Sequence, residues 1–309
     1  MNAPKLTGLI AAPYVALNAD ASLNLKAMEA QACSLIASGV SGAFVCGTTG
    51  EGVSLTTAER MAVATRWCEV AGPELRVIVH AGHTSLAECQ TLAAHAQKIG
   101  AFGVSNFAPF FFKPANTEDL VDFCAGVAAA APALPYYYYQ IPSMTGVTLP
   151  TADFLRAAQK KIPNLAGIKF TFENLMDFAE STRLEDGRFD IVFGRDEILI
   201  SGLALGAKGA IGSTYNFAAP VYLRILKAFA EGDLLTAQAE QARANAMISV
   251  FLRFGGLAAG KSIMRLIGLD CGPVRLPLRS LTEAKENELR VELEKIGFFD
   301  FCSVAPQIS

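Results

Sequence analysis

Short apolar runs alternate with amphipathic stretches along most of this chain. Runs at 9–17, 43–46, 76–81, 104–111, 134–141, 165–170, 191–194 and 210–214 are bounded by Gly, Pro or polar residues, and they predict eight strands. Stretches at 25–37, 58–70, 86–99, 117–130, 152–160 and 175–184 carry apolar residues at helical spacing. Repeated βα alternation implies parallel strands joined by helical crossovers. A recurrent turn supports the repeat. Gly39-Val40-Ser41-Gly42, Gly100-Ala101-Phe102-Gly103 and Gly206-Ala207-Lys208-Gly209 each follow a helix and precede a strand. The first glycine can take the left-handed conformation that ends a helix, and the second lets the chain enter the sheet closely. Eight units over roughly 225 residues fit an α/β fold of the (β/α)8 TIM-barrel type. A doubly wound sheet is the alternative, but it rarely needs eight units and gives no reason for the recurrent turn. Past residue 230 the pattern changes: 233–254, 258–266 and 282–295 read as helices with no strand between them. The expected organisation is a barrel over 1–229 and a helical extension over 230–309 packed on it.

Composition narrows the class. The 309 residues are 52% hydrophobic and 18% charged, with a net charge of −3 and no basic tract or acidic tail. That argues against disorder, nucleic acid and a membrane surface as partner. The apolar excess predicts a large core or a subunit interface. Seven cysteines, with irregular spacing and no C-x-x-C, read as reduced small hydrophobes in a cytoplasmic protein. No signal peptide is expected, and charges or Gly/Pro interrupt every apolar run short of a membrane span. His80, His83 and His95 lie close in sequence, but His95 falls in a helical pattern, so they read as structural residues and no metal is expected.

The candidate chemistry falls at strand ends, where barrels of this kind place reacting groups. Lys169 sits inside the apolar run Leu165-Ala166-Gly167-Ile168-Lys169-Phe170. An ammonium there is costly, and a desolvated amine can lose its proton and attack a carbonyl to form a Schiff base. Taken locally, a strand-end lysine reaching solvent is the competing reading. Thr171, two residues on, shares its face. Gly47-Thr48-Thr49-Gly50-Glu51 follows the second strand as an anion cradle of N–H groups and hydroxyls, or as a plain βα turn. Tyr136–Tyr139 ends the fifth strand; most of the four tyrosines read as wall, and one exposed at the end could carry a proton. Gly194-Arg195-Asp196-Glu197 and Gly212-Ser213-Thr214-Tyr215-Asn216 end the last two strands. Their acids and hydroxyls suit a polyol; ordinary helix-start roles, Asp196 as a first-turn acid and Ser213 as a cap, are the alternative.

Together, in this order, these clusters resemble the dihydrodipicolinate synthase / N-acetylneuraminate lyase superfamily of class I pyruvate aldolases. The marks are Gly47-Thr48-Thr49-Gly50-Glu51, Tyr139-x-Ile141-Pro142 followed by Thr145-Gly146, Gly167-x-Lys169 and Gly209-Ala210-Ile211-Gly212-Ser213, spread over nearly the whole chain. The resemblance implies a barrel with a helical appendage, assembled as a homotetramer, with no metal or organic cofactor. Met144 stands where the synthases carry an arginine for the second substrate's carboxylate, and methionine cannot make that contact. The segment Ala108-Pro109-Phe110-Phe111-Phe112-Lys113-Pro114 lacks the synthases' relay tyrosine. The chain is more similar to the sialic acid lyase branch. That branch implies cleavage of N-acetylneuraminate to N-acetylmannosamine and pyruvate, with Lys169 as Schiff-base residue and Tyr139 as proton carrier. Thr48 and Thr49 would hold the pyruvyl carboxylate. Asp196, Glu197 and Ser213, with backbone contacts from Gly194 and Gly212, would hold the hydroxyl tail, and Thr171 would lie near the N-acetyl end. Arg195 and Phe172 depart from the lyase pattern and leave the exact sugar open. Another pyruvate aldolase, acting on a 2-keto-3-deoxy sugar acid or as a divergent synthase, is the alternative. A non-catalytic pyruvate-binding barrel is the third reading, against which the Lys169, Tyr139 and threonine set stands.

Overall fold

Every strand of the molecule pairs in parallel with its sequence neighbours, and the first also pairs with the last, so the sheet closes into a barrel in the order β1 to β8. The computed structural model describes residues 5–303. The strands are β1 (Gly8–Ala11), β2 (Gly42–Val45), β3 (Arg76–His80), β4 (Gly103–Phe107), β5 (Tyr136–Gln140), β6 (Leu165–Phe170), β7 (Asp190–Phe193) and β8 (Gly209–Gly212). Helices α1 (Ala27–Ala37), α2 (Thr57–Ala71), α3 (Leu86–Lys98), α4 (Thr117–Ala128), the single turn α5 (Pro142–Thr145), α6 (Thr151–Ala158), α7 (Leu175–Arg183) and α8 (Leu199–Ala204) fill the connections. Then α9 (Tyr215–Ala230), α10 (Leu234–Arg253), α11 (Leu257–Leu266) and α12 (Glu283–Lys295) follow without a strand. The (β/α)8 barrel with C-terminal helices expected from the sequence is the fold observed.

β6 matches its apolar run, but β1 and β4 are much shorter than theirs. β1 stops at Ala11, before Pro13, and β4 stops at Phe107, before Pro109. Proline has no N–H for the ladder, so an apolar run that contains one overstates its strand. The recurrent helix-to-strand turn takes its expected form. Gly39, Gly100 and Gly206 have φ of +74°, +74° and +104°. A Cβ at Gly42 or Gly209 would lie 2.7 or 2.6 Å from a neighbouring strand's or segment's carbonyl oxygen.

Two apolar cores follow from strand alternation. One lies between sheet and helices; the other, including Ile10, Phe44, Ile78, Phe107, Val192 and Ile211, fills the barrel. In β5, Tyr136 and Tyr138 face the helices, while Tyr137 and Tyr139 face the barrel interior. β6 breaks this alternation. Leu165 faces the helices and Ala166 the interior, yet Ile168 and Phe170 again face the helices. The register against β5 shifts at this point, from Tyr136 opposite Leu165 to Tyr137 opposite Gly167. One extra residue has been absorbed in a bulge at Ala166–Gly167. A strict two-residue period from Leu165 would have aimed Lys169 at the helices; the bulge turns it into the barrel, beside Tyr139 in register. Gly167 permits this, because a Cβ there would lie 1.8 Å from the Asp190 carbonyl oxygen.

Among the described residues no single helix is long and apolar enough to cross a membrane.

Candidate active site

One cavity of about 310 Å³ opens at the C-terminal ends of the strands. Thr48, Thr49, Tyr139, Lys169, Thr171, Gly194, Asp196, Glu197, Gly212 and Ser213, scattered from the second βα turn to the eighth, all line it. Barrel closure brings them together, since each ends a strand of one parallel sheet.

Lys169 is 4% exposed, and its Nζ lies 4.0 Å from the ring centres of both Phe44 and Tyr139. No carboxylate among the described residues forms an ion pair with it. Burial pulls the amine down to about 7, against the field of Asp196, which favours the ammonium. The solvent-reaching lysine is therefore excluded. The Tyr139 hydroxyl lies 3.5 Å from Thr48 Oγ1, and burial pushes this phenol up to about 12, opposed by the Thr48 hydroxyl. Tyr139 is buried at 3% exposure, where an exposed tyrosine was expected; Phe44 and His80 pack edge-on to its ring. His80 is buried among Phe44, Phe107 and Tyr139, and burial holds its imidazole neutral. The other histidines serve their own surroundings. His95 bonds Thr65 Oγ1 at 3.0 Å, and His83 Nδ1 accepts from the Ser85 N–H at 2.9 Å.

The turn after β2 is closed by bonds from Glu51 N to Thr48 O and from Gly52 N to Gly47 O, both 3.1 Å. The N–H groups of Thr48 and Thr49 take no acceptor among the described residues, so they are available to an anion.

Opposite, Asp196 Oδ2 accepts from the Thr214 N–H at 3.1 Å and from its hydroxyl at 2.6 Å. Asp196 also opens the 3-10 turn Asp196–Ile198 and is a first-turn acid there, as the alternative reading had it, but its side-chain bonds go to Thr214. Burial raises its carboxyl above the usual range, with Thr214 opposing. Its Oδ1 and the Thr171 hydroxyl are buried without a hydrogen-bond partner among the described residues. The two glycines make room for these groups. A Cβ at Gly212 would lie 1.9 Å from Asp196 Oδ1, and one at Gly194 would lie 2.0 Å from Thr171 Oγ1. Glu197 is committed on one side: its Oε1 pairs with Arg195 Nη2 at 2.8 Å, and the same nitrogen pairs with Glu173. Ser213 caps no helix; Thr214 holds the N-cap position of α9, and its hydroxyl goes to Asp196 and Tyr222 instead of to the helix's first N–H groups.

Several cavity residues were missed by sequence reasoning. Ile248, Phe251 and Leu252 of α10, with Gly256 and Leu257 at the start of α11, form a wall. Tyr14 and Ser143 also line the cavity. Ordinary amphipathic periodicity carries no sign that a helix face meets a ligand.

Fold and cavity together define a (β/α)8 barrel whose strand ends gather, among the described residues, a buried lysine without an ion-pair partner, a turn with unpaired N–H groups, and a set of acids and hydroxyls. The chain belongs to the dihydrodipicolinate synthetase family, whose model matches residues 5–296. The N-acetylneuraminate lyase of Rattus norvegicus is 41% identical over 96% of this chain and 94% of that protein. Among solved structures, the N-acetylneuraminate lyase of Proteus mirabilis superposes with a TM-score of 0.93 at 42% identity, covering 96% of this chain and all of that one. The sialic acid aldolase of Aliivibrio salmonicida superposes equally well, with a TM-score of 0.93 at 41% identity, covering 96% and 98%.

Proposed function

We propose that this chain cleaves N-acetylneuraminate to N-acetylmannosamine and pyruvate through a Schiff base on Lys169. The observation that carries the reading is the Lys169 amine: buried, without an ion-pair partner, brought down to about 7, and facing a cavity with an anion cradle on one side and polyol-binding groups on the other. The names of its relatives point the same way.

Neutral Lys169 adds to the C2 ketone of the open-chain sugar and loses water to give an iminium. Thr48 and Thr49 hold the adjoining carboxylate. Tyr139, protonated near neutrality, acts as a relay: it accepts the C4 hydroxyl proton as its own proton passes to the substrate carboxylate. The C3–C4 bond breaks, its electrons enter an enamine, and C4 leaves as the aldehyde of N-acetylmannosamine. The enamine gains a proton at C3, and water hydrolyses the imine to release pyruvate. Asp196, Glu197 and Ser213 take the hydroxyl tail with backbone contacts from Gly194 and Gly212, and Thr171 lies toward the N-acetyl end. The scheme calls on no metal or organic cofactor.

Arg195 favours a second reading. By pairing with Glu197 it occupies one acceptor of the tail site, which would suit a shorter 2-keto-3-deoxy sugar acid. A homotetramer accords with the exposed Phe111 and Phe112, and a cytoplasmic setting with seven free thiols.

The test joins trapping to a substrate panel. Borohydride with pyruvate should label Lys169, and Lys169→Ala should lose both labelling and cleavage. Tyr139→Phe should still be labelled but cleave about 100- to 10,000-fold more slowly. N-acetylneuraminate should be the best substrate, ahead of 2-keto-3-deoxygluconate. Condensation of pyruvate with aspartate semialdehyde should be negligible, given Met144 at the cavity. Labelling at another lysine, or efficient condensation, would overturn the reading.

A further inference from the structure

The carboxylate-binding turn is held in place from the far end of the chain. Glu51 has left-handed backbone (φ 49°), and its side chain is buried. One carboxylate oxygen forms an ion pair with Lys261 of α11 at 2.7 Å, both side chains being 2% exposed. The other accepts the Arg275 N–H at 3.0 Å. Lys261 Nζ also donates to the Pro273 carbonyl at 2.6 Å. The Arg275 guanidinium grips Glu59 at 2.6 and 2.8 Å and the Ser54 carbonyl at 3.2 Å. The same helix, α11, supplies Leu257 to the cavity wall and packs Gly260 against Tyr14, where a Cβ would lie 2.0 Å from the Tyr14 hydroxyl.

A buried ion pair is a poor way to add stability, because desolvation of both charges offsets most of the attraction. It does fix direction. Glu51 closes the turn through its N–H to Thr48 O, so a fixed Glu51 carboxylate fixes the Thr48 and Thr49 backbone as well.

We propose that Lys261, acting through Glu51, is a positioning residue for carboxylate recognition: it holds the Thr48–Thr49 turn in the shape that receives the substrate's carboxylate, and the C-terminal extension is thereby part of the site. The inference rests on the assignment of the carboxylate to these threonines.

Borohydride trapping with two ketones tests it. Pyruvate carries the carboxylate; acetone keeps the ketone and has a methyl group instead. Wild-type enzyme should trap pyruvate at far lower concentration than acetone. Lys261→Met, which keeps length and loses the charge, should raise the half-saturating pyruvate concentration about 10- to 100-fold, the scale of a small misplacement at a binding site. Acetone trapping should be unchanged. Lys261→Arg, which can still pair with Glu51, should recover most of the loss. If Lys261→Met weakens both ketones equally, or neither, Lys261 only supports the fold and the inference falls. If that variant fails to fold, Glu51→Gln, with the same shape and no charge, carries the comparison, and unchanged pyruvate saturation there overturns the inference. A wild type indifferent between the two ketones would overturn the carboxylate assignment itself, and the inference with it.

Discussion

At the scale of the residue, the decisive fact is an amine without a counter-ion. Lys169 keeps its proton only below about 7, since burial disfavours the ammonium and the field of Asp196 only partly restores it. Below that value the amine is an ammonium and cannot attack. Imine formation with pyruvate should therefore fall about tenfold per pH unit on the acid side of 7 and level off above it. Removing the Asp196 charge removes support for the ammonium, so Asp196→Asn should move this limb to lower pH while cleavage of the sugar weakens. Rapid-quench trapping across pH measures both; a limb that stays in place, or moves up, would mean that Asp196 does not act on the amine. The lysine itself was legible, because a charge inside an apolar strand is conspicuous. Its cage was not: Phe44 comes from β2 and Tyr139 from β5, and only barrel closure makes them neighbours.

At the scale of the element, β6 carries information that residue spacing alone conceals. The apolar run 165–170 announces a strand, but a two-residue period beginning at Leu165 would put Lys169 on the wrong face. The bulge at Ala166–Gly167 corrects it, and the missing Cβ of Gly167 makes the bulge possible. Gly167→Ala should accordingly cost about 1–3 kcal/mol by overpacking against the Asp190 carbonyl and should depress pyruvate trapping. Chemical denaturation and labelling yield report the two effects; an unchanged midpoint with full labelling would show that the strand tolerates the methyl group. The Gly167-x-Lys169 motif was readable as a family mark, whereas its geometric reason was not. By contrast, the βα alternation gave the barrel directly, since eight strands with intervening helices leave few other arrangements.

At the scale of the whole molecule, two surfaces lie beyond the single barrel. Phe111 and Phe112, 75% and 86% exposed on the loop after β4, form an edge-to-face pair open to solvent. Exposed aromatic surface suits association with another subunit, the reading that the expected tetramer calls for. Sedimentation velocity should find a tetramer, and Phe111→Ser with Phe112→Ser should reduce its order; a wild-type monomer at micromolar concentration would contradict the expected assembly. The cavity wall from α10 and α11 was not legible, because helices that face a ligand and helices that face a core share one periodicity. The tie between Glu51 and Arg275, 224 positions apart, has a consequence in time. During synthesis the turn after β2 emerges early, and its two anchors emerge near the end. Until they arrive, Glu51 has water for company and the turn is free to take other shapes. The barrel's strands can pair before then, but the site cannot assume its working form until nearly the whole chain has been made.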